Sequence, residues 1–331
     1  GRRLMITRRH ALLGIGASFC AGTRATAAEP ARMLTAADVH PSGYPTVEAV
    51  RWIGRQLAAA TGDRLGVRVY HSGQLGREND TVELARFGAI NLTRVNFAAL
   101  NNAFPLTQVP ALPYVFDSVA HMRRAMDGEP GRRILAGFAE RDLVGLCIYD
   151  SGVRCVYNVR RPIQTPGDLH GLKIRVPPSD IFIQIGLALG ANSTPLAFGE
   201  VYSSLQTHLI DGAENNIHSF HSSRHFEVAK HWSETNHSYS PEALLLSRRT
   251  LEQLRGEDQA LLLRLATESV PVMRSLWDAA EERSRQAVLD AGVEINTVDH
   301  AAFARATAPL LQRRLESPGL RRLYDEIRSM A

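Results

Sequence analysis

From residue 45 onward, short β-branched runs alternate with apolar stripes of helical period, and a glycine or proline closes nearly every segment. Pro45 to Ala60 places Val47, Val50, Ile53 and Leu57 on one helical face, and Leu65 to Tyr70 then alternates as a strand. Asn79 to Phe87 reads as a helix, Ile90 to Val95 as a strand, and His121 to Ala139 as a helix interrupted at Gly128-Glu129-Pro130-Gly131. Leu143 to Tyr149 and Val153 to Val159 read as strands. The same grammar then repeats: strand Gly171 to Val176, helix Asp180 to Leu189, helix Phe198 to Gln206, strand Leu209 to Glu214. Ala243 to Ser247 is a further strand, expected to return to the first half. Gly256 to Ala291 forms one long helical pattern with Leu262, Leu265, Met273, Leu276 and Ala280 on its stripe, and Pro271 predicts a kink or break. Such alternation over 331 residues predicts two α/β lobes built on parallel sheets.

The start of the chain has a different composition. Thr7-Arg8-Arg9, a short apolar stretch to Ala21, and the small residues Ala25-Thr26-Ala27 describe an export signal over residues 1–28. Its paired arginines suit the twin-arginine route, and an ordinary secretory signal is the alternative. Without that segment's five arginines, 33 basic residues of the 38 face 34 acidic ones. The expected mature charge of −1 removes the electrostatic support for nucleic-acid binding. With that export signal, and no segment long and apolar enough to span a bilayer, the expected location is the periplasm. Cys147 and Cys155 are expected to be partly buried, unpaired thiols, with a disulfide as the alternative.

No Gly-x-Ser-x-Gly, Walker loop or dinucleotide fingerprint occurs. His218, His221 and His225 have helical i, i+3, i+7 spacing and could hold zinc with Glu214 or His231. A polar helix face explains them more simply. No cofactor is expected.

The informative stretch runs from Ser151 to Asn216. Arg154 and Arg175 each lie on an apolar strand. Ile174 and Val176 bracket Arg175, so its side chain projects to the opposite face. A buried guanidinium needs a partner. One such arginine is most simply an internal salt bridge. Two of them, with Asn215-Asn216 ending a third strand, suit the capture of a carboxylate by paired hydrogen bonds.

These residues belong to an ordered set of motifs: Gly152-Val153-Arg154, Thr165-Pro166-x-Asp168-Leu169-x-Gly171-Leu172-Lys173-Ile174-Arg175-Val176-Pro177, Glu200-Val201-Tyr202-x-x-Leu205-Gln206-Thr207 and Asp211-Gly212-x-Glu214-Asn215. Gly73-Gln74-Leu75-Gly76 and Leu112-Pro113-Tyr114-Val115-Phe116 precede them. Over residues 32 to 325 the set resembles the solute-binding subunit of tripartite ATP-independent periplasmic (TRAP) transporters, the DctP-like family. His208 departs from the pattern, standing where the family commonly has glycine.

The resemblance implies a two-lobed periplasmic-binding-protein-like α/β fold, a cleft between the lobes and a long spanning helix. With it, residues 29–152 plus 241–280 are expected to form one lobe and 153–240 plus 281–331 the other. It implies that Arg175 anchors a ligand carboxylate, that Arg154 and Asn215 help fix it and that Phe198 packs on the ligand. Glu78, Asn96, His40, Arg94 and Asn216 are further expected contacts. His40-Pro41-x-x-Tyr44-Pro45-Thr46 and Thr235-x-His237 resemble the subgroup that takes sugar acids. A C4-dicarboxylate wants a second cation where Glu78 stands, whereas a hexuronate has one carboxylate and a hydroxylated ring. The expectation is a monomeric, non-enzymatic binding protein for D-glucuronate or D-galacturonate, working with integral membrane TRAP subunits. The alternatives are another organic acid (a C4-dicarboxylate, a keto acid or sialic acid) and an exported zinc enzyme.

Overall fold

The computed structural model describes residues 31–331; the expected export segment lies outside them. In chain order the strands are β1 (Arg32–Ala37), β2 (Leu65–Tyr70), β3 (Leu92–Asn96), β4 (Leu143–Tyr149), β5 (Val153–Asn158), β6 (Lys173–Val176), β7 (Asn192–Pro195), β8 (Gly212–Asn215), β9 (His231–Tyr239), β10 (Glu242–Ser247) and β11 (Glu294–Asn296). The helices are α1 (Pro45–Thr61), α2 (Glu78–Phe87), α3 (Val119–Asp127), α4 (Glu129–Gly137), α5 (Asp180–Ala188), α6 (Val201–Gln206), α7 (Ile217–Ser222), α8 (Arg248–Gln253), α9 (Gly256–Asp290), α10 (His300–Arg314) and α11 (Pro318–Arg328).

The strands form two sheets, ordered β2-β1-β3-β10-β4 and β11-β9-β5-β8-β6-β7. Neither is wholly parallel, contrary to expectation. β10 enters the first sheet antiparallel to β3 and β4, and β5 lies antiparallel to β8 and β9 in the second. The mixture follows from connectivity. The chain leaves the first sheet through Asp150–Gly152 and comes back from β9 through Ser240-Pro241, so a strand of each return runs against its neighbours. Gly152 makes the first crossing at φ +67°, and a Cβ there would stand 3.0 Å from the Trp277 ring.

Each helix reads as its local sequence demands. Pro45 starts α1, where no N–H is needed. Gly62 ends it in the left-handed conformation with its N–H on the Ala58 carbonyl. Gly128 divides α3 from α4, and Pro130 lies in the first turn of α4. α9 runs 35 residues and carries Pro271 in its interior without the expected break. Its buried face includes Leu262, Leu265, Met273 and Ala280, but Trp277 takes the place assigned to Leu276, which is exposed. This helix packs on α1 and β4 of the first lobe and on α7 of the second. α11, assigned by sequence to the second lobe, instead packs beside α4 of the first, where Leu320, Leu323 and Ile327 are buried. Cys147 and Cys155 lie in different sheets, buried and free; burial pushes both thiols up to about 12. Among the described residues, no helix is long and apolar enough to cross a membrane.

Candidate ligand site

The two lobes meet around a cavity whose walls include His40, Glu78, Asn96, Arg154, Arg175, Phe198 and Asn215. The jaws are in contact around it. Tyr44 Oη and Ser219 Oγ are 2.9 Å apart, the Asn101 amide and Ser179 Oγ 3.0 Å, and Arg77 meets Glu200 at 3.0 Å. His40 stacks on Tyr44 at 3.7 Å and takes the edge of Phe198 at 5.0 Å.

Arg175 stands on β6 between buried Ile174 and Val176, and its own side chain turns into the cavity. Its Nε donates to the Leu196 carbonyl at 2.8 Å. Among the described residues no carboxylate lies within ion-pair distance of it, and neither Nη has a protein acceptor. Burial pulls its pKa down to about 10; Glu214 opposes this, and Arg154 adds to it as a like charge. A guanidinium in such a place is stabilised by an anion brought from outside.

Arg154 is in the opposite condition. Its Nε and Nη2 hold both Glu214 oxygens at 2.6 and 2.8 Å, and its guanidinium carbon lies 5.1 Å from the centre of the Phe182 ring. Glu214 also contacts His237 Nε2 at 3.2 Å. Burial pushes the Glu214 pKa up, but Arg154 and His237 outweigh it and hold the group down at about 2. Only Nη1 of Arg154 remains for the cavity, 3.4 Å from Asn215 Oδ1. That oxygen also accepts the Asn216 N–H, so Asn215 has its Nδ2 free to donate.

The first lobe supplies acceptors. Glu78 opens α2 and takes Arg94 Nη1 at 3.0 Å and the Asn96 N–H at 2.9 Å. Burial nevertheless raises its pKa. Glu242, at the start of β10, faces Ser151 at 3.1 Å and His40 at 3.7 Å; burial is overridden by Arg94 and His40, which hold it down at about 2. Asn96 is tied to the Ser240 carbonyl and caps the turn after β3.

Two expected contacts serve other purposes. Arg94 does not line the cavity: it lies beneath it, joining Asp38, Glu78 and Glu242, and these three carboxylates overcome the burial that opposes its charge. Asn216 is also absent from the wall, since its Oδ1 caps α7 at the Ser219 N–H, 2.7 Å away. Sequence reasoning missed Glu242, Asp38 and Ser219. Nothing in their local sequence marks them; the fold alone brings β10 and the loop after β1 to the same place.

The histidine triplet does not assemble. α7 ends at Ser222, His218 and His221 both turn to Ser284, and His225 pairs with the Tyr157 hydroxyl at 2.7 Å. Among the described residues no group of three histidine, cysteine or acidic side chains is placed to hold a metal. His208 takes a left-handed φ of +58° after α6, which accounts for a glycine at such a turn.

Charge is thus divided across the cleft. Among the described residues at the cleft, the second lobe offers one cation without a protein carboxylate, and the first offers Glu78 and Glu242, with Asp38 behind, against Arg94. A guest with one carboxylate for Arg175 and several hydroxyl donors for the acidic wall satisfies both sides. A second carboxylate at that wall meets like charge.

The family model for bacterial extracellular solute-binding protein family 7 matches residues 36–317. A solute-binding protein of Chromohalobacter salexigens is 38% identical over 292 residues, 88% of this chain and 87% of that one. The crystal structure of a TRAP periplasmic solute-binding protein from Bradyrhizobium sp. BTAi1, in complex with α/β-D-galacturonate, is 47% identical with a TM-score of 0.88, covering 90% of this chain and 100% of that one. One from Chromohalobacter salexigens DSM 3043 with bound D-glucuronate is 37% identical with a TM-score of 0.87, covering 90% and 100%.

Proposed function

The chain belongs to family 7 of the bacterial extracellular solute-binding proteins, the solute-binding proteins of TRAP transporters, and from that premise we propose that it captures a hexuronate, D-galacturonate or D-glucuronate. Members of this family bind solutes and are not enzymes. The single observation that carries the ligand class is the buried guanidinium of Arg175 without a protein carboxylate, facing a wall of carboxylate acceptors.

In this reading the Arg175 Nη atoms hold the ligand carboxylate, with Arg154 Nη1 and Asn215 Nδ2 beside it. Ring hydroxyls donate to Glu78 and Glu242, Asn96 and His40 complete the polar wall, and Phe198 covers the ring. Charged hydrogen bonds contribute about 1.5–3 kcal/mol each, so a few of them, less ordering terms, reach the roughly −8 kcal/mol of micromolar binding. Both lobes supply partners to one solute, so binding favours the closed form. The closed protein acts as a monomer in the periplasm and delivers its solute to the integral membrane subunits of the transporter.

A thermal-shift screen over organic acids tests the proposal. Stabilisation follows ligand concentration for hexuronates, is absent for neutral hexoses and is weak for succinate. Equal stabilisation by succinate or sialic acid would refute the ligand class.

A further inference from the structure

The closed jaws leave a second, larger space next to the first. It opens outward from the cavity and is the larger of the two. Arg175, Glu78, Phe198 and Pro177 belong to both spaces, so they mark the junction. Contacts between the lobes are already made at Asn101–Ser179 and Arg77–Glu200. The outer chamber therefore persists when the lobes meet.

We propose that this chamber accepts a second, neutral sugar ring, so that the protein takes hexuronates glycosidically linked at O4 or O1 as well as the free acid. The proposal rests on the hexuronate reading and extends it.

Three features of the chamber point to this occupant. One wall is apolar, with Phe198, Pro177, Pro178 and Pro195, and suits the C–H face of a pyranose. The first lobe lines the chamber with Ser72, Gly73 and Gly76, the two glycines at positive φ. The charge balance excludes a second acid. Apart from Arg175, which the uronate carboxylate occupies, Arg77 alone stands against Glu78, Asp80 and Glu200, and Arg77 is already paired with Glu200. The linkage follows from the junction. With the carboxylate at Arg175, the ring positions nearest the outer chamber flank the carboxyl-bearing carbon: C4 on one side and, across the ring oxygen, C1 on the other.

Gly199 gives a way to close the chamber. It lines the outer space and not the inner one, and a Cβ added there meets no atom within 4 Å. Isothermal titration of the whole chain with D-glucuronate, with a glucuronate carrying a neutral pentose at O4, and with one carrying it at O1 decides the matter. At least one disaccharide is expected to bind within about tenfold of free glucuronate, and Gly199→Trp to weaken that disaccharide by more than about tenfold while glucuronate holds its affinity. The proposal is overturned if glucuronate binds while both disaccharides are more than about tenfold weaker, or if the Gly199→Trp protein binds them undiminished. If glucuronate itself does not bind, the hexuronate reading fails first and this extension with it.

Discussion

Arg154 and Arg175 stand on β5 and β6, the two strands that flank β8, and only Arg154 is paired there: Glu214 of β8 grips it with both oxygens while Arg175 reaches only the Leu196 carbonyl. Two buried guanidinium groups in one sheet thus have different energetic roles. One is satisfied by the protein, and the other is held ready for a guest.

Removing the satisfied one strands a buried carboxylate. Arg154→Ala is expected to destabilise the fold by about 3–5 kcal/mol. Arg154→Met combined with Glu214→Leu is expected to lose much less, because neither charge is then left alone. Urea unfolding of the wild type and the two variants measures both values; a double variant that loses as much as Arg154→Ala would show that the stranded carboxylate is not the cause.

Removing the unsatisfied one has the opposite sign in the absence of ligand. Arg175→Met deletes a buried charge that no protein acid compensates, at the expense of one hydrogen bond to Leu196. The unliganded variant is expected to gain on the order of 1 kcal/mol, a rise in Tm of about 2–4 °C. A melting curve without ligand reads it, and a drop of several degrees would mean that Arg175 is structural.

Stability depends on pH in two windows. Burial lowers His218 and His225 to about 3, well under the ordinary 6.5. Their neutral forms suit the fold, so this contribution is present above pH 6.5 and is lost as pH falls toward 3. Glu214 and Glu242, held down at about 2, contribute above their ordinary 4.5 and lose that as pH falls toward 2. Glu78, raised by burial, has the opposite sign: its contribution is present below 4.5 and fades as pH rises. Unfolding free energies at pH 7.5 and 5.0 span the upper window, and a His225 variant separates its share from that of Glu78. The wild type is expected to lose stability between them and His225→Gln to lose less; equal losses would remove His225 from the account.

The turn at His208 is strained. A non-glycine residue in the left-handed region costs about 1–2 kcal/mol, and the His208 side chain is exposed. Allowing for the greater freedom of glycine in the unfolded chain, His208→Gly is expected to stabilise by about 0.5–1 kcal/mol. Its Tm decides.

Much of this was legible because local chemistry dictates it. β2 falls where β-branched alternation places it, β4 coincides with the apolar run Leu143 to Tyr149, and α1 lies between its proline and its glycine. Arg175 could be singled out because Ile174 and Val176 fix its face. The rest depends on contacts between distant segments. β9 buries Ser233, Thr235, His237 and Ser238, so its period is masked by polar residues in the interior. Leu276 and Trp277 are neighbours on α9, and only the packing partner decides which is buried. Arg94 looked like a ligand contact until the fold brought Asp38 and Glu242 to it, and Asn216 until α7 began at the next residue.

Isothermal titration of wild type and Arg175→Met with D-galacturonate and D-glucuronate tests the central claim most directly. The account predicts micromolar or tighter binding of at least one hexuronate to the wild type and none to the variant, with the variant folded and melting no lower than the parent. Undiminished hexuronate binding by Arg175→Met, or no hexuronate binding by the wild type, would contradict it.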